Sequence, residues 1–179
     1  MKRLFVAIDL PSSTRQLFAT LNPKLRGVRL TEPEQIHLTI GFFGNVTAEA
    51  QEELRDRLSA IEWKPFFLPV IGIGAFPSKG RPNVLWVGVG AGHPHLFQLH
   101  KRVQEAALGA GIEADLRSFH PHITIARCRD VSADAIKPFL RKHADFDAGM
   151  LRVDECYLYS SKLTPAGSIH TRELTLLAS

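Results

Sequence analysis

Two short motifs in this chain pair a histidine with a threonine. The first is His37-Leu38-Thr39-Ile40, and the second is His122-Ile123-Thr124-Ile125, which lies 85 residues further on. Because side chains alternate between the two faces of a strand, each motif would place its histidine and threonine on one face and its apolar residues on the other. Two such strands facing each other would gather two imidazoles and two hydroxyls around one small polar group.

This set of groups suits acid-base chemistry on a phosphodiester. Histidine has an ordinary pKa of roughly 6.5, so that one imidazole can act as a base while another acts as an acid near neutral pH. In hydrolysis of a cyclic phosphodiester, one would take a proton from water and the other would protonate the departing ribose oxygen. The threonine hydroxyls could donate hydrogen bonds to the non-bridging oxygens. Such a scheme uses no metal.

A single histidine on a strand is more often structural than functional, and the doubled motif is what favours function for His37 and His122. His120 either shapes the start of its strand beside Pro121 or lines the groove. The spacing His120-x-His122 could also be half of a zinc site, but no third ligand with an oriented carboxylate base is evident, so we predict no metal. Four further histidines are predicted to be structural: His93, His95, His100 and His143.

Composition indicates a globular protein with an anionic partner. The 179 residues are 45% hydrophobic and 22% charged, with a net charge of +4 and a pI near 9.3, which favours nucleic acid or phosphate. Cys128 and Cys156 have no paired spacing, so we expect reduced thiols and a cytoplasmic location. The apolar run at the N-terminus is cut by Asp9 and Pro11, which predicts a first strand and neither a signal peptide nor a membrane span.

Hydrophobic periodicity and turn residues predict an alternation of strands and helices along the chain. Ser12, Ser13 or Thr14 would cap a first helix ending near Pro23, and Pro138 would kink or stop the last helix. Predicted strands cover Leu4–Asp9, Val28–Leu30, the two motifs, Phe66–Ile73, Asn83–Val89, Met150–Tyr159 and Ile169–Leu177; helices begin near Thr47, His93-Pro94 and Ser132.

The order of these elements indicates an internal duplication. Both motifs fall at equivalent points of two halves, and no linker-like segment divides them. Short connections between strands favour antiparallel sheets. We therefore predict an α+β fold: a single domain over residues 1–179 with two lobes related by a pseudo-two-fold axis, two mostly antiparallel sheets facing a central groove, and helices on the outer faces. We expect a monomer.

Together with the two motifs, three segments resemble the 2H phosphoesterase superfamily, and within it the RNA 2′,3′-cyclic phosphodiesterases first described as 2′-5′ RNA ligases. These segments are Arg3–Pro11, Val84–Val89 and Leu158–Leu163. The similarity spans nearly the whole chain in the right order. It implies a bilobal fold and hydrolysis of RNA 2′,3′-cyclic phosphate ends to 2′-phosphate, with no metal or nucleotide cofactor.

The resemblance also implies roles for particular residues. His37 would protonate the leaving O3′ and His122 would activate water, although the near symmetry of the site permits the reverse. Thr39 and Thr124 would contact the phosphate. Two further residues match ligand-contacting positions of the family: Arg127 would bind the phosphate, and Phe42 would stack on the terminal base. His170 stands where an aromatic residue is common in relatives, which puts a stacking role at that position in doubt.

Phe42 and Arg127 each follow their motif histidine by five residues. Strict alternation would place an i+5 residue on the face opposite its histidine, in conflict with the implied roles. We therefore predict a bulge or a strand end near Gly41 and Ala126. A regular ladder with Arg127 in the core would refute its phosphate role.

Two other functions fit the same residues. The chain could bind phosphorylated RNA ends without chemistry, although binding alone does not require a histidine and a threonine in both copies. Ligation of a cyclic end to a 5′-hydroxyl would use the same site as hydrolysis. Four cations would be either solvated surface charges or a basic rim for the RNA backbone: Lys79, Arg81, Arg129 and Lys162.

Overall fold

The computed structural model describes residues 1–90, 93–113, 115 and 117–179. Within these residues the chain forms ten strands and four α-helices. In chain order they are β1 (Lys2–Asp9), α1 (Ser12–Phe18), β2 (Val28–Leu30), β3 (His37–Val46), α2 (Ala48–Ser59), β4 (Phe66–Ile71), β5 (Ile73–Phe76), β6 (Val84–Gly88), α3 (Pro94–Gly109), β7 (His122–Cys128), α4 (Ala133–Lys142), β8 (Asp147–Val153), β9 (Glu155–Thr164) and β10 (Gly167–Leu177). A single 3₁₀ turn, Pro33–Gln35, precedes β3.

Three helices begin where the sequence predicts. The hydroxyl of Thr47 accepts from the Ala50 amide, and that of Ser132 accepts from the Ala135 amide, at 3.3 and 3.1 Å. His93 caps α3 through its ring nitrogen, followed by a proline at the first helical position. These contacts satisfy amides that have no partner within the helix.

The first and last helices differ from their predictions. Pro11 is the residue before α1, and none of the predicted hydroxyls caps this helix, which ends at Phe18 rather than near Pro23. In α4, Pro138 lies inside the helix and does not stop it. The apolar side of α4, which includes buried Ile136 and Phe139, packs on the core and stabilises the helix around the proline.

Two predicted strands are each divided in two. The run from Phe66 breaks at Gly72, whose φ of +79° suits glycine, and the run to Tyr159 breaks at Asp154. In both cases the first part, β4 or β8, leaves the main sheet, and the two pair with each other. The second part, β5 or β9, continues in the main sheet.

The α+β class, the antiparallel pairing and the duplication are confirmed. The main sheet has the order β10-β9-β1-β3-β7-β6-β5, with β2 also paired to β7. The β1–β3 pair of one half corresponds to the β6–β7 pair of the other. The two predicted sheets are joined, but only by the pairing of Leu38 with Ile123 between β3 and β7.

The apolar residues of both motifs enter the core. Leu38, Ile40, Ile123 and Ile125 are buried in one cluster with apolar residues of all four helices. The motif histidines and threonines therefore lie on the face of the sheet away from this core. Among the described residues, no helix is long and apolar enough to cross a membrane.

Candidate active site

A cavity of about 300 Å³, the central cavity, lies between the two halves of the main sheet. Strands β3 and β7 each contribute three side chains to it. All six residues predicted for the site line this cavity: His37, Thr39 and Phe42 from β3, and His122, Thr124 and Arg127 from β7.

A bulge interrupts each of these strands at the same point. In the β1–β3 ladder, Thr39 and Gly41 have consecutive partners in β1 and Ile40 is passed over. In the β6–β7 ladder, Ile125 is passed over in the same way. The bulges lie directly before Gly41 and Ala126, where they were predicted.

The bulges bring Phe42 and Arg127 to the side of the histidines. Two consecutive residues are buried at each bulge, and the alternation of faces then resumes in the opposite phase. Phe42 is 43% exposed and Arg127 is exposed, and both line the central cavity. The geometric condition for their proposed roles is therefore met.

The main-chain carbonyls at the bulges accept hydrogen bonds from outside their own ladders. Nδ1 of His100 in α3 donates to the Ile40 carbonyl at 2.7 Å. The Ile125 carbonyl accepts instead from the main-chain amide of Thr31 at 2.9 Å. A side chain thus donates to the carbonyl of the β3 bulge, and a main-chain amide donates to the carbonyl of the β7 bulge. His100, predicted to be merely structural, supports the site from the core side.

His37 lies among aromatic rings. The Phe5 ring stacks on it at a centroid distance of 5.0 Å, and His170 meets it edge-on at 5.4 Å. The pKa of His37 is lowered to about 4, and burial of the ring is the largest cause. The charges of His170 and Arg15 also lower the pKa, whereas the charge of Asp9 raises it. His37 is therefore neutral near pH 7 in the free protein.

His122 is held differently. Its Nδ1 donates to the main-chain carbonyl of His120 at 2.7 Å, and the Phe76 ring packs edge-on against it at 4.9 Å. This hydrogen bond fixes the tautomer of the neutral imidazole, so that Nε2 carries the lone pair. His120 thus orients the His122 ring through its main chain, and it also lines a cavity that adjoins the central one.

Seven further residues line the central cavity, and sequence reasoning did not assign them to the site: Arg3, Phe5, Thr31, Gln35, Ser161, Ser168 and His170. Arg3 lies over the Phe42 ring, 5.2 Å from its centroid. Gln35 donates to the carbonyl of Ser168. These residues come from strands and turns far apart in the chain and carry no shared motif. Arg3, Phe5 and Ser161 lie in the segments that resemble the family, and His170 departs from its relatives, but none of these signals indicated a place in the site.

The described residues around the central cavity give it a cationic character. Arg3 and Arg127 line it, and no carboxylate does. Among the described residues, no group of three or more histidine, cysteine, aspartate or glutamate side chains is placed to hold a metal ion. Of the predicted basic rim, Lys162 lines an adjoining cavity with Lys2 and Arg3. Arg81 pairs with Asp130 at 3.9 Å instead.

The fold and the cavity together define a class: a duplicated α+β protein that opposes two histidine-threonine strands around a cationic cavity. The sequence model of the LigT-like phosphoesterases matches residues 8–86 and again residues 87–170. The chain belongs to this family. Each of the two matches contains one of the two histidine-threonine motifs.

Individual relatives agree with this assignment. The chain is 33% identical over 171 residues to the RNA 2′,3′-cyclic phosphodiesterase of Archaeoglobus fulgidus, covering 94% of this chain and 96% of the relative. It is 33% identical over 144 residues to that of Aeropyrum pernix, covering 80% and 82%. The crystal structure of E. coli LigT in apo form superposes with a TM-score of 0.82 at 26% identity, covering 99% and 98% of the two chains. A structure of the same protein complexed with 3′-AMP gives a TM-score of 0.81 at 26% identity and the same coverage.

Proposed function

We propose that this protein hydrolyses RNA 2′,3′-cyclic phosphate ends to 2′-phosphates without a metal. The observation that carries the proposal is that one cavity is lined by the imidazoles and hydroxyls of both motifs and by two guanidinium groups, with no carboxylate among the described lining residues. Such a cavity favours an anion that undergoes proton transfer on two sides. The names of the relatives support the same reaction.

In the proposed reaction, a water oxygen attacks phosphorus while the bond from phosphorus to O3′ breaks. Nε2 of His122 accepts the proton of the water, and His37 donates a proton to O3′. The product is a terminal 2′-phosphate with a free 3′-hydroxyl. Two imidazoles supply the base and the acid, and the pair is restored when the protons exchange with solvent.

The base role of His122 is supported by its tautomer. Because Nδ1 donates to the His120 carbonyl, Nε2 is left as an acceptor for a water proton. The imidazolium that forms is stabilised by the same carbonyl. The lowered pKa of His37 favours its neutral form and does not by itself choose between the two assignments, so the tautomer of His122 carries this one.

The acid role of His37 depends on the substrate. With a pKa of about 4, the imidazole is mostly neutral before substrate binds. A phosphodiester anion beside the ring stabilises its cation and raises its pKa. Protonation of His37 is then coupled to binding, and the reactive form of the pair carries one proton in total.

Three further side chains would hold the phosphate. Thr39 and Thr124 would donate hydrogen bonds to its non-bridging oxygens, and the Arg127 guanidinium would offset its charge. Phe42 would stack on the terminal base, since its ring is exposed at the edge of the cavity. Arg3 over the same ring adds a second cation on this side.

The proposal is tested with a labelled oligoribonucleotide ending in a 2′,3′-cyclic phosphate, incubated with the protein in EDTA. We expect conversion to a 2′-phosphate, resolved from the 3′-phosphate by chromatography. The His122→Ala variant should be inactive, and the His95→Ala variant, altered at an exposed position on α3, should match the wild type. If the wild type binds the RNA without turnover, the protein is an end-binding protein and the proposal fails.

A further inference from the structure

A small aromatic cluster lies behind the His37 ring, apart from the main core. Its buried members, Phe5, Ala7, Tyr157 and Tyr159, belong to the neighbouring strands β1 and β9. Tyr159 stacks on Phe5 at a centroid distance of 5.3 Å, and Phe5 stacks on His37 at 5.0 Å, with interplanar angles of 19° and 22°. The plane of the imidazole is therefore set by a stack of rings that ends at Tyr159.

Two charged side chains hold the Tyr159 hydroxyl. It donates to Oδ1 of Asp9 at 2.6 Å and accepts from Nε of Arg172 at 3.2 Å, and Nη2 of Arg172 pairs with the other oxygen of Asp9. Burial and the hydrogen bond to Asp9 raise the pKa of Tyr159, so that the hydroxyl keeps its proton and remains the donor. These contacts close a ring of hydrogen bonds that joins β1, β9 and β10.

Asp9 also lies beside His37 itself. The two residues are cross-strand partners in the β1–β3 ladder, which places their side chains on one face of the sheet. Asp9 lines a separate cavity of about 330 Å³ and not the central cavity. Burial, His170 and Arg15 lower the pKa of His37, and the charge of Asp9 raises it. Other charged or titratable side chains around the central cavity are Arg3, His122 and Arg127.

We propose that Asp9 is a positioning residue for His37, the acid of the proposed reaction. Its carboxylate anchors Tyr159 behind the stack of rings and provides a counter-charge for the imidazolium from outside the central cavity. This inference rests on the proposed function. Asp9 neither contacts the RNA nor transfers a proton; it acts through the orientation and the charge of His37.

The counter-charge has a consequence that a purely structural tie lacks. The reactive form carries its one proton on His37 and leaves Nε2 of His122 free to accept another. Loss of the carboxylate lowers the share of this form, and it lowers by the same factor the affinity of His37 for a proton. Activity should therefore fall together with a shift of the acid limb of kcat/KM, where both imidazoles become protonated. A structural tie would lower activity without moving this limb.

The test compares Asp9→Asn with Glu155→Gln on adenosine 2′,3′-cyclic phosphate. Glu155 lines the same cavity as Asp9, but its carboxylate accepts from Tyr157, so it is a control of equal charge. In Asp9→Asn, kcat/KM should fall about three- to tenfold and the acid limb should move about 0.5–1 pH unit lower, as expected for one partly exposed counter-charge. Glu155→Gln should match the wild type in both.

Arg172→Gln breaks the same ion pair but leaves the carboxylate. The uncompensated charge of Asp9 should then move the acid limb to higher pH, opposite to Asp9→Asn. A shift to lower pH in both variants would overturn the counter-charge. If circular dichroism shows that Asp9→Asn does not fold, the direction of the shift in Arg172→Gln decides.

Tyr159→Phe tests the anchor, because it keeps the ring and removes the hydroxyl. It should lower kcat/KM about threefold, by the loss of hydrogen bonds that orient the stack, and leave the acid limb in place. Tyr157→Phe, which removes the neighbouring hydroxyl, is the matched control. Equal kcat/KM in the two variants would overturn the role of Tyr159.

A measurement without turnover separates this inference from the proposed function. The ring resonance of His37, identified by its absence in His37→Ala, is titrated by heteronuclear NMR in the free wild type, Asp9→Asn and Glu155→Gln. The pKa of His37 should be lower in Asp9→Asn than in the other two, and equal values in all three would reject the counter-charge. If the wild type hydrolyses no cyclic end, the proposed function fails, and this titration still decides whether Asp9 acts on His37.

Discussion

Each half of this protein presents a four-residue motif of the same pattern on a bulged strand, β3 or β7, but the surroundings of the two motifs differ. In the β3 half the histidine is packed against Phe5 and His170, and the bulge carbonyl is held by a side chain. In the β7 half the histidine donates to a main-chain carbonyl, and the bulge is held by main chain. After the bulge, one strand presents a phenyl ring and the other a guanidinium group.

In the proposed reaction, this contrast gives the two histidines of a duplicated scaffold two different roles. Duplication places the two imidazoles at equivalent points, but acid and base must differ in protonation. The surroundings of each ring differ: burial lowers the pKa of His37, and a hydrogen bond to the His120 carbonyl fixes the tautomer of His122. The four predictions below test whether the halves differ in this way.

The largest effect is expected from removing either imidazole. His37→Ala and His122→Ala should each lower kcat by about 10²- to 10⁴-fold, the usual contribution of one acid or base. Stopped assays on the cyclic mononucleotide measure this, with circular dichroism to verify folding. Loss of activity in only one of the two would show that the halves do not share the chemistry.

The residues after the bulges should separate phosphate binding from base binding. Arg127→Ala should lower kcat/KM by about 10- to 100-fold for every cyclic phosphate, since hydrogen bonds to charged groups contribute about 1.5–3 kcal/mol. Phe42→Ala should lower it by about tenfold for adenosine 2′,3′-cyclic phosphate, through lost stacking, and leave ribose 2′,3′-cyclic phosphate unaffected. An equal loss with both substrates in Phe42→Ala would contradict the stacking role.

The bulge of β3 should be sensitive to its side-chain donor. His100→Phe keeps a ring against Phe119 but removes the donor to the Ile40 carbonyl, and should reduce the free energy of unfolding by about 1 kcal/mol. KM for the nucleotide substrate should rise a few-fold, because Phe42 loses its fixed orientation. His100→Gln, which retains a donor, should recover part of the free energy of unfolding and part of the KM. Urea denaturation measures the first and steady-state kinetics the second. His95→Phe on the same helix serves as the control.

The smallest effect concerns pH. Because the pKa of His37 is lowered to about 4, the pair takes up its second proton only near this pH. The acid limb of kcat/KM should therefore lie near pH 4. Activity should fall as the pH drops through this value, where both imidazoles become protonated. His170→Gln removes one charge that lowers the pKa and should move the limb to higher pH. A limb unmoved by this variant would show that His170 does not act on His37.

Much of the site could be predicted from sequence because its determinants are local. The alternation of residues in His37-Leu38-Thr39-Ile40 indicates which face is buried, and the same pattern 85 residues later indicates the partner strand. The predicted bulges depended also on the family resemblance, because the ligand-contacting roles it implies for Phe42 and Arg127 conflict with strict alternation. The bulged residues are Ile40 and Ile125, and each is followed by a second buried residue.

Other features depend on contacts between residues far apart in the chain. Nothing in the run from Phe66 or the run to Tyr159 shows that β4 and β8 leave the main sheet to pair together. Pro138 predicted a kink or a stop, and the helix does not stop there because packing of its apolar side stabilises it past the proline. Both outcomes depend on which surfaces become buried, and that is set by the whole fold.

The sequence by itself determined the doubled motif, the residues that share its face and the family to which the chain belongs. Only the tertiary structure decided how the two histidines differ. A pKa depends on solvent and on charges within a few ångströms, and for His37 these come from β1, α1 and β10. Two motifs of the same pattern therefore acquire different surroundings when the chain folds around them.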